Sequence, residues 1–166
     1  YTLVSQLKSK TIVVQPLNNF PIIKDLVTDF TDFFGKHRNM KPYLIRLDTY
    51  TQEKSKTSYP QTDEELIRYI QFAYCIKCGL CYAACPVVAT DRKFAGPQAL
   101  SQLYRYYADS RDEGGAERLR LVDDNHGVLR CHFAGSCSQV CPKGVDPALA
   151  IQLLRRALVF TPPAKA

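Results

Sequence analysis

A mainly helical fold with a short β remnant at its N-terminus is predicted by three observations on the 166-residue sequence. Helix-start signals recur at Pro21, Thr62, Gly96-Pro97 and Asp146-Pro147, and apolar residues at helical spacing follow them. A strand-like pattern, apolar at residues 1–4 and β-branched at 11–14 around a polar stretch at 8–10, opens the chain. No apolar run approaches the roughly 18 residues that cross a bilayer, which predicts a soluble or peripheral chain. With 46% hydrophobic and 23% charged residues, the length suits one core or two small packed lobes.

In order along the chain, residues 1–16 read as a strand pair or the margin of a sheet. Because they begin without Met in strand-like sequence, they are expected to close a domain whose remainder lies upstream or in a separate chain, leaving 17–166 as the helical domain. Pro21 behind Asn18 and Asn19 predicts a helix with Ile22, Ile23, Leu26, Val27, Phe30, Phe33 and Phe34 on one face and Asp25, Asp29 and Asp32 on the other. Residues 38–61 lack sustained periodicity and read as a long connection. Thr62 and Glu65 form a capping-box pair, with Asp63 and Glu64 at the positive end of the helix dipole, so a helix through about Tyr74 should deliver the chain to Cys75. Gly96-Pro97 opens a helix with Leu100, Leu103, Tyr104 and Tyr107 inward, and Asp146-Pro147 opens a last one through about Val159, ended by Pro162 and Pro163. The aromatic and aliphatic stripes read as core packing.

Seven cysteines in two tight groups do not suit a secreted disulfide scaffold and point to metal ligation under reducing conditions. Cys75, Cys78, Cys81 and Cys85-Pro86 follow C-x2-C-x2-C-x3-C-P, the bacterial ferredoxin run whose fourth Cys ligates the other cluster. The same template laid from Cys131 meets Ala134, Cys137 and Cys141-Pro142, so one ligand is missing. If ligation crosses, Cys75, Cys78, Cys81 and Cys141 make a four-thiolate site for 4Fe-4S, and Cys85, Cys131 and Cys137 make a three-thiolate site. The corner facing Ala134 has no thiolate, so 3Fe-4S is expected there; 4Fe-4S with water or hydroxide on its fourth iron is the rival. Gly79 is expected to relieve crowding where backbone approaches the inorganic sulfides. Zinc would suit Cys75 and Cys78 but leaves the prolines after Cys85 and Cys141 unexplained.

The formal charge of +6 suggests an acidic partner. Iron, sulfide and thiolate together contribute roughly −2 per oxidised cluster site, which leaves roughly +2. Arg105, Arg111, Arg118, Arg120 and Arg130 are interleaved with Asp109, Asp112, Glu113 and Glu117, so no basic stripe for nucleic acid stands out.

The strings Cys75-Ile-Lys-Cys-Gly-Leu-Cys-Tyr-Ala-Ala-Cys-Pro86 and Cys131-His-Phe-Ala-Gly-Ser-Cys-Ser-Gln-Val-Cys-Pro-Lys-Gly-Val-Asp-Pro147 closely resemble the iron-sulfur subunit of succinate dehydrogenase and fumarate reductase. Asn19-Phe-Pro-Ile-Ile-Lys-Asp-Leu26 and Asp109-Ser-Arg-Asp112 are similar to that family too. The resemblance covers nearly the whole chain. It implies an all-helical ferredoxin-type domain with 4Fe-4S and 3Fe-4S centres, the latter nearest the membrane. It also implies an electron-transfer role, not catalysis by this chain alone: electrons pass between a FAD-containing flavoprotein subunit and a quinone at a membrane-anchor subunit. The chain would then lie peripherally on the inner or cytoplasmic membrane, facing the cytoplasm or mitochondrial matrix. A plant-type 2Fe-2S domain normally precedes this one, so a 2Fe-2S centre is expected in a missing segment or a separate chain, and residues 1–16 resemble its closing strands. Quinone contacts of the family fall on Pro86, His132 and Arg155. Rival readings are a free ferredoxin-like carrier and the iron-sulfur subunit of a heterodisulfide reductase or glycerol-3-phosphate dehydrogenase complex.

Overall fold

The computed structural model describes residues 4–9, 11–46 and 59–161. Among them are nine α-helices and one two-stranded sheet near the N-terminus, the mainly helical class that the sequence predicts. The sheet lies elsewhere than expected. Residues 4–9 contain a 3-10 turn, Val4–Gln6, and 11–16 pair with no described strand, leaving Ile12, Val13 and Val14 exposed. The antiparallel pair is β1 (Ile22–Lys24) and β2 (Val27–Thr28).

This hairpin corrects the helix expected behind Pro21. Asn19 (φ 65°) and Asp25 (φ 51°) take left-handed conformations that interrupt a right-handed helix, and the β-branched residues at 22, 23, 27 and 28 favour a ladder. Helix α1 (Thr31–Asn39) begins only after the Asp29 carboxylate accepts the Thr31 N–H at 2.8 Å. Of the supposed apolar face, Phe33 is buried and Phe30 packs against the core, while Ile22, Ile23, Leu26 and Val27 are exposed.

Of the long connection, residues 47–58 lie outside the described residues; 40–46 and 59–62 contain no helix or strand. The capping box forms as read: Thr62 N–H donates to the Glu65 carboxylate at 2.9 Å, and Glu65 N–H donates to the Thr62 hydroxyl at 3.3 Å. The helix it starts does not run through to Tyr74. It divides into α2 (Asp63–Ile67) and α3 (Ile70–Ala73) at Tyr69 (φ −131°), whose ring is buried and whose hydroxyl donates to Gln61 at 2.6 Å.

Short helices α4 (Leu80–Ala83) and α5 (Pro86–Thr90) lead to α6 (Pro97–Tyr107), which is buried from Pro97 through Leu103. After α7 (Gly115–Val122) and α8 (Ser136–Gln139), the chain ends its described part in α9 (Pro147–Phe160), capped by the Asp146 carboxylate on Leu149 N–H at 2.9 Å. Helices α6 and α9 pack most extensively on each other, burying Leu100, Leu103, Ile151 and Leu154. Both helices start where predicted; of the residues expected inward on α6, Leu100 and Leu103 are buried, and Tyr104 and Tyr107 are partly buried against the core.

A buried ion pair joins residues 40–45 to α7. Arg118 and Asp112 side chains are 0% and 1% exposed. The guanidinium donates to both carboxylate oxygens, at 3.1 and 2.7 Å, and to the carbonyls of Met40, Lys41 and Tyr43. Asp112 also accepts the Ile45 and Gly114 N–H groups at 2.9 Å. Removing one member leaves the other charge buried, so Arg118→Leu is expected to destabilise the chain by about 3–5 kcal/mol. Glu117→Gln, which removes the half-exposed partner of Lys41, should change stability by less than about 1 kcal/mol. Denaturant titration of the holoprotein checks both; equal effects would show that Arg118 is not the staple.

Candidate metal centre

The two cysteine runs fold into repeated loops. Lys77 and Phe133, two residues after the first Cys of each run, both have φ 56°. Gly79 and Gly135, four residues after it, have φ 81° and 74°, and each precedes a four-residue helix, α4 or α8. The Phe133 N–H donates to Cys131 Sγ at 3.4 Å, and the Lys77 N–H works against the upward shift of the Cys75 thiol. Such a loop folds its first thiol back over its own amides, and Ala134 sits where Cys78 sits in the first run.

The loops enclose two cavities, each of which takes one cysteine from the other run. Cys75, Cys78, Cys81 and Cys141 line a cavity of about 400 Å³, counting its open mouth, together with Gln98, Ser101 and Pro147. Cys85, Cys131 and Cys137 line a second of about 340 Å³ with Ala134, Phe94, Pro97 and Ile151. The structure thus brings Cys141 to the first run's cavity and Cys85 to the second's. The thiols stand around voids and do not converge on a point: among the described residues no group of three or more His, Cys, Asp or Glu is placed to hold a single metal ion. Soft sulfur donors set around a void without one point of convergence fit a polynuclear iron-sulfur group better than one zinc ion.

Electrostatics lead to the same donor chemistry. Burial pushes the Cys81 thiol well up, and the neighbouring cysteines, Cys75 first among them and Cys141 included, raise it further. Burial also raises Cys75, partly offset by the Lys77 N–H and the Gln98 side chain. Cys137 is pushed up to about 11 by burial, against the Ser138 hydrogen bond, and Cys85 is raised by burial against the Val88 and Val87 amides. Thiolates crowded like this need a cationic metal to exist at neutral pH.

The family pattern of a 4Fe-4S dicluster domain matches residues 71–145. The chain is 48% identical over 139 residues to the fumarate reductase iron-sulfur subunit of Mycobacterium tuberculosis, covering 84% of this chain and 56% of that one. It is 44% identical over 146 residues to the fumarate reductase iron-sulfur subunit of Haemophilus influenzae (83% and 57%). The chain belongs to the family of fumarate reductase and succinate dehydrogenase iron-sulfur subunits. The succinate dehydrogenase iron-sulfur subunit of Coxiella burnetii is 38% identical over 159 residues (94% and 66%). A chain of the Mycobacterium smegmatis Sdh1 complex in the apo form superimposes with a TM-score of 0.74 at 25% identity, covering 91% of this chain and 63% of that one. The chain thus spans little more than half the length of the fumarate reductase subunits it matches.

Of the residues that family membership suggests for quinone, Pro86 and His132 are exposed at the rim of the second cavity. His132 has no hydrogen-bond partner among the described residues. Arg155 is engaged elsewhere: its guanidinium donates to the carbonyls of Val128 (3.0 Å), Leu129 (3.1 Å) and Cys131, tying α9 to the segment that carries Cys131. Asn19 braces the first run similarly, donating to the carbonyls of Tyr82, Ala83 and Cys85 at 3.0, 2.9 and 3.1 Å. Sequence reasoning missed both braces, and also Gln98 and Ser101 in the first cavity. A polar pair at i, i+3 on an otherwise apolar helix face was the available signal for the latter.

Among protein atoms, Gly79 is crowded by two aromatic rings. A Cβ on Gly79 would lie 2.9 Å from Phe30 and 3.0 Å from Phe20, whereas one on Gly135 would meet nothing within 4 Å. Gly135→Ala should therefore cost about 1–2 kcal/mol, from its left-handed backbone alone. Gly79→Ala should cost about 1–3 kcal/mol more through overpacking and should lower iron content at the first site. Thermal denaturation and iron analysis of the two variants check this; equal losses would mean that the Phe20 and Phe30 rings yield freely.

Proposed function

We propose that the chain carries electrons between a FAD-containing flavoprotein subunit and a membrane quinone, as the iron-sulfur subunit of a succinate:quinone oxidoreductase or quinol:fumarate reductase. The observation that carries this reading is the pair of adjacent thiol-lined cavities, the second with Ala134 at the place of a fourth ligand. Cys75, Cys78, Cys81 and Cys141 would hold 4Fe-4S, and Cys85, Cys131 and Cys137 would hold 3Fe-4S. When bound, such clusters supply one-electron transfer. The protein's part is to bind them, shield them from water and set their separation. Val87, Phe94, Pro97 and Ile151 shield the inner side of the second site. Its outer side, with exposed Pro86, His132 and Phe133, would meet the membrane anchor and the quinone. Arg155 serves that site through the Cys131 backbone. Among the described residues no helix is long and apolar enough to cross a membrane, so the reading places the chain peripherally at the membrane face.

Residues 1–16 would close a 2Fe-2S domain supplied by an upstream segment or a separate chain. Unpaired, exposed Ile12, Val13 and Val14 support this, because a β-branched apolar run of this kind is suited to a sheet edge.

The purified complex is expected to show the signal of an oxidised 3Fe-4S cluster in electron paramagnetic resonance, with about seven irons bound to this chain. The backbone on either side of Ala134 matches that around Cys78, so Ala134→Cys should aim its sulfur at the vacant corner, admit one more iron and abolish that signal. About eight irons without a 3Fe-4S signal in the unmodified, gently isolated complex would refute the assignment. His132→Ala is expected to slow quinone reactions at least tenfold while electron transfer to a soluble dye stays near the parent rate. Parallel loss of both activities would assign His132 to cluster retention instead.

A further inference from the structure

Two side chains on the first turns of α6 are left without a role by ligand geometry. Gln98 (2% exposed) and Ser101 (1%) lie at i, i+3 and line the first cavity beside its four thiols. Both contain an orphan: the Gln98 side-chain oxygen and the Ser101 hydroxyl have no hydrogen-bond partner. A buried polar group without a partner costs about 1–3 kcal/mol, and such groups persist where something else completes them. What faces these two is a cavity walled by sulfur.

Gln98 is also held from behind. Its amide nitrogen lies 3.2 Å from His37 Nδ1, and His37 is itself 8% exposed. Burial, aided by the Lys77 cation, favours the neutral imidazole. The two ends of a carboxamide exchange by a half-turn, and the pairing network decides between them. A sulfide-rich anion and its thiolates present only acceptors. The network is complete when His37 Nδ1–H donates to the Gln98 oxygen, so that the amide NH2 points at the sulfur atoms; the Ser101 hydroxyl rotates to do the same. The second cavity has no such pair on its helix side, where Val87, Phe94, Pro97, Ala148 and Ile151 are apolar.

We propose that Gln98 and Ser101 are positioning residues that donate hydrogen bonds to the sulfur shell of the first cluster and raise its reduction potential, with His37 orienting Gln98. This rests on the cluster assignment proposed above. Reduction adds negative charge to the cluster, so a fixed donor favours the reduced form.

The test is a redox titration of the purified holo-complex, followed by paramagnetic resonance of both clusters, with Ser101→Ala, Gln98→Leu and Ser101→Thr. In each of the first two variants the reduced-to-oxidised ratio of the first cluster at a given ambient potential should fall about tenfold, equivalent to about 59 mV for a one-electron couple. The second cluster should keep its midpoint, and Ser101→Thr, which retains the hydroxyl, should keep that of the parent. An unchanged first-cluster midpoint in Ser101→Ala and Gln98→Leu at full iron content overturns the inference, as does an equal shift of both clusters. If Ser101→Ala sheds iron from the first site, restored iron and midpoint in Ser101→Thr uphold the role of the hydroxyl, and failure to restore them overturns it. Absence of a 4Fe-4S signal from the unmodified complex would bring down the cluster assignment and this inference together. An intact signal with unmoved variants brings down this inference alone.

Discussion

The constraint on which the rest of the structure depends is the exchange of one cysteine between the two runs. Cys141 joins Cys75, Cys78 and Cys81, while Cys85 joins Cys131 and Cys137. Each cavity is walled by both runs, so neither is complete unless the two loops are held side by side. Helices α6 and α9 wall both cavities at once: Gln98, Ser101 and Pro147 face the first, and Pro97, Ala148 and Ile151 face the second. The largest helix packing in the chain is therefore also the spacer between the two sites. An electron carrier needs such rigidity, because transfer between centres depends on their separation and a close-packed core deforms little.

Around that core, each run has its own backbone brace. Asn19 gathers three carbonyls of the first run, and Arg155 gathers three carbonyls at the entry to the second. Both braces are long-range in sequence and act on the backbone, leaving the cysteine side chains free to turn inward. Asn19 can do this because its own backbone is left-handed, a conformation that Asn tolerates better than most residues. The hairpin that follows is the consequence. The same turn that seats the amide on the first run prevents residues 22–28 from continuing as a helix.

That coupling explains which parts of the fold were legible in the sequence. Capping pairs and Gly-Pro or Asp-Pro starts are local signals, and Thr62, Gly96-Pro97 and Asp146-Pro147 each open a helix where they predict one. The cysteine spacing is also local within each run, and its match to a known template made the crossed grouping readable. The helix expected over 22–34 failed because apolar residues at 22, 23, 26 and 27 mimic helical periodicity, while the tertiary engagement of Asn19 decides the backbone. The break at Tyr69 likewise follows from burial of its ring against partners in Gln61 and Arg111. Arg155 is expected at the quinone from the family resemblance, and its grip on the carbonyls of Val128, Leu129 and Cys131 stays hidden because a sequence does not show which carbonyls a guanidinium will find.

The two loops share their backbone and differ in their walls, which bears on how one fold can hold two redox centres apart in potential. With the ligand sets proposed here, four thiolates around 4Fe-4S and three around 3Fe-4S give the same formal charge, roughly −2, in the oxidised state. Net charge then does not distinguish the sites, and the difference must come from cluster type, hydrogen bonding and access of water. The loop backbone is a poor source of it, because Lys77 and Gly79 repeat the conformations of Phe133 and Gly135. What does not repeat is Cys78 against Ala134, the buried polar pair on α6 against the apolar wall of Phe94 and Ile151, and the exposed rim of Pro86 and His132 at the second site. All three differences are carried by side chains on a duplicated backbone, so the potentials of the two sites can be tuned one residue at a time without disturbing the spacing that α6 and α9 enforce.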